Sequence, residues 1–262
     1  MEDINDLLYN DVEAKFLALQ NKKKKRKKRR RKIRLIVLSV LLLSGALYFT
    51  SDSSKVKSLD VNGNLFYTKN MVLKKANLSY NTRYIVMPKL YIEYKLKQDD
   101  MIKDAEVTKA NGSIHIHIKE KTSIGYFVKD EKNYVLLEDG STKEITQDNL
   151  SVIANFPLID GFDDKQLVNL AKSFAVKDRE VSQEMISMIS EIHPYKASYD
   201  ANMVKLVMQD GNFIYTDYAS MPLLKDYKEV VLKNIKEGKK KRLCVVMDDA
   251  TANIHTEDCS SF

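Results

Sequence analysis

The chain has 262 residues, a formal net charge of +7, two cysteines and no tryptophan. Its positive charge is concentrated in the unbroken basic run Lys22–Lys32, which together with Arg34 carries +12 and leaves −5 for everything else. Residues 51–262 hold 30 basic and 31 acidic side chains. This near-neutral balance excludes general polyanion binding by the bulk of the chain, and two cysteines exclude a disulfide-rich scaffold.

The first 21 residues have a mixed character. They contain five acids and one lysine, and Ile4, Leu8, Val12 and Phe16 recur at four-residue steps. This spacing predicts a short amphipathic helix, whereas the density of acids is equally typical of a disordered tail.

An apolar segment follows directly on the basic run. Leu35–Phe49 contains no charge, and Ile33–Thr50 would measure about 27 Å as a helix, enough to cross a bilayer core. Because basic clusters resist translocation, we predict a cytoplasmic tail over residues 1–32, a transmembrane helix over 33–50, and an extracytoplasmic location for the remainder. The charge of Lys22–Lys32 should attract anionic lipid headgroups, and the adjacent span accounts for it without nucleic-acid binding.

A cleaved signal peptide is the alternative interpretation of this segment. Ser44-Gly45-Ala46 loosely satisfies the small-residue rule for a cleavage site. However, the segment before the apolar core is far longer than the basic region of an ordinary signal peptide. The uncleaved anchor is therefore favoured.

Residues 51–122 predict a first extracytoplasmic domain with the element order β-α-α-β-β. Asn62-Gly63-Asn64 and Asn111-Gly112 supply turns, and Thr68 supplies a helix cap. In chain order the elements are a strand at Lys57–Val61, helices from Thr68 to about Ala76 and from Pro88 through Leu96, and strands at Ala105–Lys109 and Ile114–Lys119.

Residues 123–258 predict a second, mixed α+β domain, followed by a short tail over 259–262. Met185, Met188, Ile189 and Ile192 follow helical spacing, which predicts a helix from Ser182 to Pro194. The other predicted elements are strands at Ser123–Val128, Tyr134–Leu137, Lys143–Ile145 and Val152–Phe156, a helix from Asp163, strands at Met203–Met208 and Phe213–Thr216, a helix from Ser220 to Gly238, and strands at Leu243–Met247 and Ala252–Thr256.

No catalytic, cofactor-binding or metal-binding residues are predicted. His115 and His117 share one face of a strand, but no further ligand set accompanies them, which favours a solvated face with the neighbouring isoleucines in the core. Paired aspartates occur where turns and helix caps recruit them. Cys244 and Cys259 could meet across a hairpin or remain free thiols, and their spacing leaves both open.

The C-terminal strand pair is the feature that indicates binding. Leu243–Met247 is apolar on both faces, whereas Thr251–Thr256 is short and mixed. A final strand of this kind tends to lie at a sheet edge, where its backbone groups can accept a strand from another chain. The alternative is an edge blunted by Lys239–Arg242 and the neighbouring acids, and spacing alone does not separate the two.

Several segments resemble the bacterial cell-division family DivIB/FtsQ. Val61-Asn62-Gly63-Asn64, followed by Thr68, resembles the start of that family's POTRA domain. Ile102–Val107 and Ser113–Glu120 resemble its closing hairpin, and Phe156–Phe162 resembles a recurring step in its β domain. The order of tail, basic junction, single span and two domains is similar throughout residues 22 to about 258.

The resemblance implies a non-enzymatic scaffold of the divisome, concentrated at the division septum. It further implies assembly with FtsL-like and DivIC/FtsB-like bitopic partners and an influence on septal peptidoglycan synthesis, extending to the synthase. In the family, the last strands and the preceding helix hold the FtsB-like partner by strand addition. The corresponding residues here are Ala252, Asn253, Ile254, His255 and Thr256, supported by Tyr227 and Val231.

Two other functions remain compatible with the sequence. A membrane-anchored extracellular hydrolase that modifies the cell wall would require one indispensable acid, thiol or imidazole. A POTRA-type secretion or sporulation component would share the first domain and bind a different partner.

Overall fold

The computed structural model describes residues 2–197, 202–238, 242–249 and 253–261. The chain divides into two compact units. One contains Met1–Lys57 and Tyr80–Met87, and the other contains Ser58–Ser79 and Pro88–Phe262.

The first unit is dominated by one continuous helix, α1 (Glu2–Thr50), of 49 residues. Residues 2–21 are therefore helical, and the alternative of a disordered tail is wrong for them. Within the described residues, one helical segment is long and apolar enough to cross a membrane, at Lys22–Thr50. A 3₁₀ turn at Asp52–Ser54 follows, with the Ser51 hydroxyl accepting a hydrogen bond from the Ser53 N–H.

The second unit begins with a three-stranded sheet whose first and second strands are separated along the chain by two helices, as predicted. Its central strand β3 pairs in parallel with β1 and antiparallel with β2. The observed order β-α-α-β-β is consistent with the predicted one. The elements are β1 (Ser58–Asn62), α2 (Lys69–Lys75), α3 (Lys89–Lys97), β2 (Ile102–Ala110) and β3 (Ser113–Glu120).

Strand alternation explains the core of this sheet. Ile114, Ile116 and Ile118 are buried, while His115 and His117 between them are exposed on the opposite face. The predicted placement of these five residues is confirmed.

A nine-stranded sheet makes up the rest of the second unit. Its strand order is β12-β11-β10-β9-β8-β7-β4-β5-β6, and a large apolar cluster joins one sheet face to three helices. The strands are β4 (Ser123–Lys129), β5 (Lys132–Leu137), β6 (Thr142–Glu144), β7 (Leu158–Ile159), β8 (Ile189–Tyr195), β9 (Met203–Met208), β10 (Phe213–Asp217), β11 (Cys244–Asp248) and β12 (Asn253–Glu257), and the helices are α4 (Asp164–Phe174), α5 (Gln183–Ile186) and α6 (Tyr227–Lys236).

The strand predicted at Val152–Phe156 is wrong. Gln147–Asn155 is instead a 3₁₀ segment, and the strand that follows it is only β7. The Asn149 carboxamide accepts a hydrogen bond from the Thr146 N–H at 2.9 Å, which holds the start of the turn. This local capping outweighs the β-propensity of the valine and isoleucine.

The helix predicted from Ser182 to Pro194 is also wrong beyond its first turn. Helix α5 ends at Ile186, and β8 begins at Ile189. A register shift between Ile189 and Glu191 in the pairing with β9 allows both Ile189 and Ile192 to be buried. A β-bulge therefore produced a three-residue spacing that imitates a helix.

The two sheets of the second unit are joined by polar contacts. The Asn149 side-chain amide donates to the Phe66 carbonyl at 3.3 Å across a buried junction. On the surface, the Lys121 ammonium lies 2.7 Å from the Asp139 carboxylate. Although partial burial opposes ionisation, hydrogen bonds from Lys121 and Ser141 lower the pKa of Asp139 to about 2.

Candidate partner-binding edge

Strand β12 forms one edge of the nine-stranded sheet. It pairs antiparallel with β11 from Asp248↔Asn253 to Cys244↔Glu257, and β11 pairs in parallel with β10. The crossover from β10 to β11 contains α6, which places that helix on the sheet beside the edge. No described strand pairs with the outer side of β12.

The hairpin of β11 and β12 is held at both ends. Beyond β12, Cys259 forms a disulfide with Cys244, with 5.2 Å between their Cα atoms. The structure thus decides between a bridge and two free thiols in favour of the bridge. Near the turn, the Arg179 guanidinium lies 2.6 Å from the Asp249 carboxylate, and this hydrogen bond lowers the pKa of Asp249.

The residues of β12 alternate between the two sheet faces. Ile254 pairs with Met247 and packs against the large core beneath the helices. His255 pairs with Val246 and lies on the opposite face. There its Nε2 lies 2.9 Å from the Glu257 carboxylate, while its Nδ1 is buried without a hydrogen-bond partner.

Helix α6 presents a core face and an exposed apolar face. Tyr227 is fully buried, and its hydroxyl donates to the Asp210 carboxylate at 2.8 Å. Burial, together with the neighbouring Asp210 carboxylate, raises the pKa of Tyr227. Val231 is half-buried against the core. Tyr227 and Val231, the two helix residues predicted from the sequence, therefore both pack on the core side of α6.

A shallow groove of about 260 Å³ separates α6 from β12. Asn234 lies in its wall with only 5% of its surface exposed, and its side-chain amide donates to the Val230 carbonyl at 2.9 Å. The Asn234 Oδ1 has no hydrogen-bond partner. The α6–β12 groove is lined by Val230, Lys233, Asn234, Glu237, Ile254, His255 and Thr256.

The structure brings together most of the residues proposed from the sequence. Ile254, His255 and Thr256 line the groove, and Asn253 starts β12 beside them. Ala252 lies outside the described residues. That these residues bind a partner remains a prediction.

Sequence reasoning missed Asn234 as a member of this surface. It follows Tyr227 by seven residues and therefore shares the core face of α6, where a polar side chain is unusual. A polar residue on the core face of the helix was the signal in the sequence that could have identified Asn234. Leu232 and Ile235, both exposed large apolar residues on α6, were also missed.

Comparison with known proteins shows which proteins this chain resembles. Residues 54–121 match the family model described as "POTRA domain, FtsQ-type". The chain is 28% identical over 229 residues to the cell division protein DivIB of Erysipelothrix rhusiopathiae, covering 86% of this chain and 83% of that one. It is 28% identical to DivIB of Bacillus cytotoxicus, covering 85% and 86%, and 29% identical to DivIB of Bacillus subtilis, covering 67% and 65%.

A solved structure shows a partial likeness. It is that of the major extracytoplasmic domain of DivIB from Geobacillus stearothermophilus, with 19% identity, a TM-score of 0.34, and coverage of 45% of this chain and 97% of that one. The sequence matches extend over both sheets and agree with the resemblance of the turn and hairpin segments. The resemblance of this chain to the DivIB/FtsQ family of bacterial cell-division proteins is therefore confirmed by a POTRA-domain match and by sequence similarity over most of its length.

Proposed function

We propose that the chain is a non-enzymatic divisome scaffold that captures a bitopic partner by strand addition at β12. The observation that carries this proposal is the outer side of β12, which no described strand pairs, lying beside the α6–β12 groove. An added strand would gain backbone hydrogen bonds along β12 and would place alternate side chains over the groove.

The chemistry of the groove suits an extended peptide. Ile254 and Val230 offer an apolar floor for alternate side chains of an added strand. The exposed Leu232 and Ile235 on α6 would extend the contact to a helical part of the partner.

The family relationship suggests the partners. We infer that FtsL-like and DivIC/FtsB-like proteins are bound and that the complex supports septal peptidoglycan synthesis. We further propose that α1 anchors the chain with its N-terminus in the cytoplasm, that Lys22–Lys32 contacts anionic headgroups, and that residues 51–122 and 123–258 act as outward-facing domains at the septum.

Co-purification from membranes tests the partner assignment. The tagged full-length chain should retain an FtsL-like and a DivIC/FtsB-like protein, identified by mass spectrometry. Depletion should give filamentous cells, and a fluorescent fusion should collect at midcell. Uniform membrane fluorescence together with normal septa would contradict a role at the septum.

A pair of substitutions at one position tests strand addition itself. Ile254→Pro removes a backbone donor, whereas Ile254→Ala removes most of the same side chain and retains the N–H. Relative to Ile254→Ala, the proline variant should weaken partner capture by roughly five- to tenfold, as expected for about 1–1.4 kcal/mol from one lost hydrogen bond. His255→Ala should have little effect. Equal loss from Ile254→Pro and His255→Ala would indicate side-chain recognition instead.

A further inference from the structure

The loop Tyr80–Met87 exposes three large apolar side chains within eight residues. Tyr80 is 56% exposed, Ile85 62% and Val86 58%. Single exposed apolar residues are ordinary on protein surfaces, but a cluster of this density indicates contact with another apolar phase.

The same loop is fastened to the end of α1. The Arg83 guanidinium donates to the Ser51 carbonyl at 2.9 Å and to the Ser54 hydroxyl at 2.8 Å. The Tyr84 N–H donates to the Ser54 carbonyl at 2.8 Å, and Lys55 forms a β-bridge with Arg83. The loop therefore lies beside the residues at which α1 ends.

The position of Ser51 sets the depth of the loop. The apolar part of α1 ends at Phe49, and Ile33–Thr50 matches the thickness of a bilayer core. Ser51 and Ser54 would then lie in the headgroup layer, which is about 5–7 Å thick on each side of the core. Since Arg83 bonds directly to both serines, the loop would lie in the same layer.

We propose that Tyr80–Met87 is a second, interfacial membrane contact, in which Tyr80, Ile85 and Val86 enter the outer leaflet of the bilayer that α1 spans. Tyrosine is enriched at this depth because its ring is apolar and its hydroxyl is polar, and aliphatic side chains gain free energy on leaving water there. Lipid is favoured over a protein occupant because the surface is continuous with the spanning helix. The inference rests on the proposed anchoring by α1.

Because the chain contains no tryptophan, a single introduced tryptophan can be used as a fluorescent probe without background emission from other indoles. Val86→Trp places a single indole in the loop, and Val128→Trp places one at an exposed valine of β4 as the matched control. Each full-length variant is reconstituted into vesicles of phosphatidylcholine and phosphatidylglycerol whose acyl chains carry bromine near the headgroup. Val86→Trp should show blue-shifted emission and clear quenching, while Val128→Trp should emit as it does in water.

A third variant separates this inference from the anchoring on which it depends. Leu42→Trp lies in the middle of the apolar segment and should be quenched by bromines deep in the acyl chains. If Leu42→Trp is quenched while Val86→Trp behaves like Val128→Trp, the interfacial contact is wrong and the anchor is correct. If Leu42→Trp itself emits as in water, both are overturned.

The role of the Arg83 hydrogen bonds to Ser51 and Ser54 is tested in the same vesicles. Arg83→Met in the Val86→Trp background removes the donors to Ser51 and Ser54 and should reduce quenching of the indole. Unchanged quenching would overturn the claim that these hydrogen bonds set the depth of the loop.

Discussion

Opening the disulfide next to β12 should destabilise the protein by an amount that the structure allows one to estimate. Cys244 and Cys259 are separated by 15 residues. Closing a loop of about this length reduces the entropy of the unfolded chain and stabilises the native state by about 3 kcal/mol. The bridge also ties the segment after β12 to β11, so its loss should free the proposed binding strand before the rest of the sheet.

Cys259→Ser is the appropriate perturbation. Cys244 is fully buried, and a serine there would add the cost of an unsatisfied hydroxyl, whereas Cys259 is only half-buried. The variant isolates the loss of the covalent link. A free Cys244 thiol remains as a small apolar group within β11.

Urea unfolding of the full-length chain in detergent, followed by circular dichroism, measures the effect. Reductant should lower the unfolding free energy of the wild type by about 3 kcal/mol and should leave Cys259→Ser unchanged. Partner capture should fall in parallel. A wild type that is insensitive to reductant, or a variant as stable as the oxidised wild type, would refute the reasoning.

Two further predictions concern the sheets. Gly63→Ala would place its Cβ 2.0 Å from the Ile118 carbonyl oxygen, whereas Gly211, with a similar positive φ, faces open space. The urea midpoint of Gly63→Ala should therefore fall well below that of Gly211→Ala, and equal midpoints would contradict the clash. In the folded protein the pKa of Asp139 is lowered from 3.8 to about 2. The contribution of this carboxylate to stability is therefore fully present above pH 3.8 and is lost as the pH falls towards 2. Asp139→Asn should flatten that acid-induced loss in a pH series of unfolding midpoints, and an unchanged profile would argue against the contact with Lys121.

The first sheet could be predicted because its signals are local. Asn111-Gly112 marks a tight turn, both residues have positive φ, and the isoleucines on one side alternate with histidines. Each of these features is decided by residues within a few positions of one another. Contacts with distant parts of the chain did not change the structure that these local features favour.

The errors in the second sheet arose where a local pattern had two meanings. Ile189 and Ile192 are three residues apart, which suits a helix, but the bulge in β8 buries both from a strand. Only the pairing with β9 distinguishes these cases, and that partner is distant in the sequence. At Gln147–Asn155, hydrogen bonds between Thr146 and Asn149 favour a 3₁₀ turn where the valine and isoleucine had suggested a strand.

The candidate site was predictable in location and not in detail. A short final strand tends to lie at an edge, and β12 does. The full burial of Tyr227, the buried unpaired acceptor on Asn234 and the bridge from Cys244 to Cys259 depend on how α6 and β11 pack. Such contacts join residues that are distant in the sequence, and no periodic pattern in the sequence indicates them.

The two ends of the nine-stranded sheet are unequal. Of the edges that the structure describes, β12 offers five residues and a neighbouring groove, while β6 offers three residues, Thr142–Glu144. Two of those three, Lys143 and Glu144, are charged, which discourages pairing. If a partner strand adds at β12 as proposed, the nine-stranded sheet would therefore accept one guest, at this end, and none at β6.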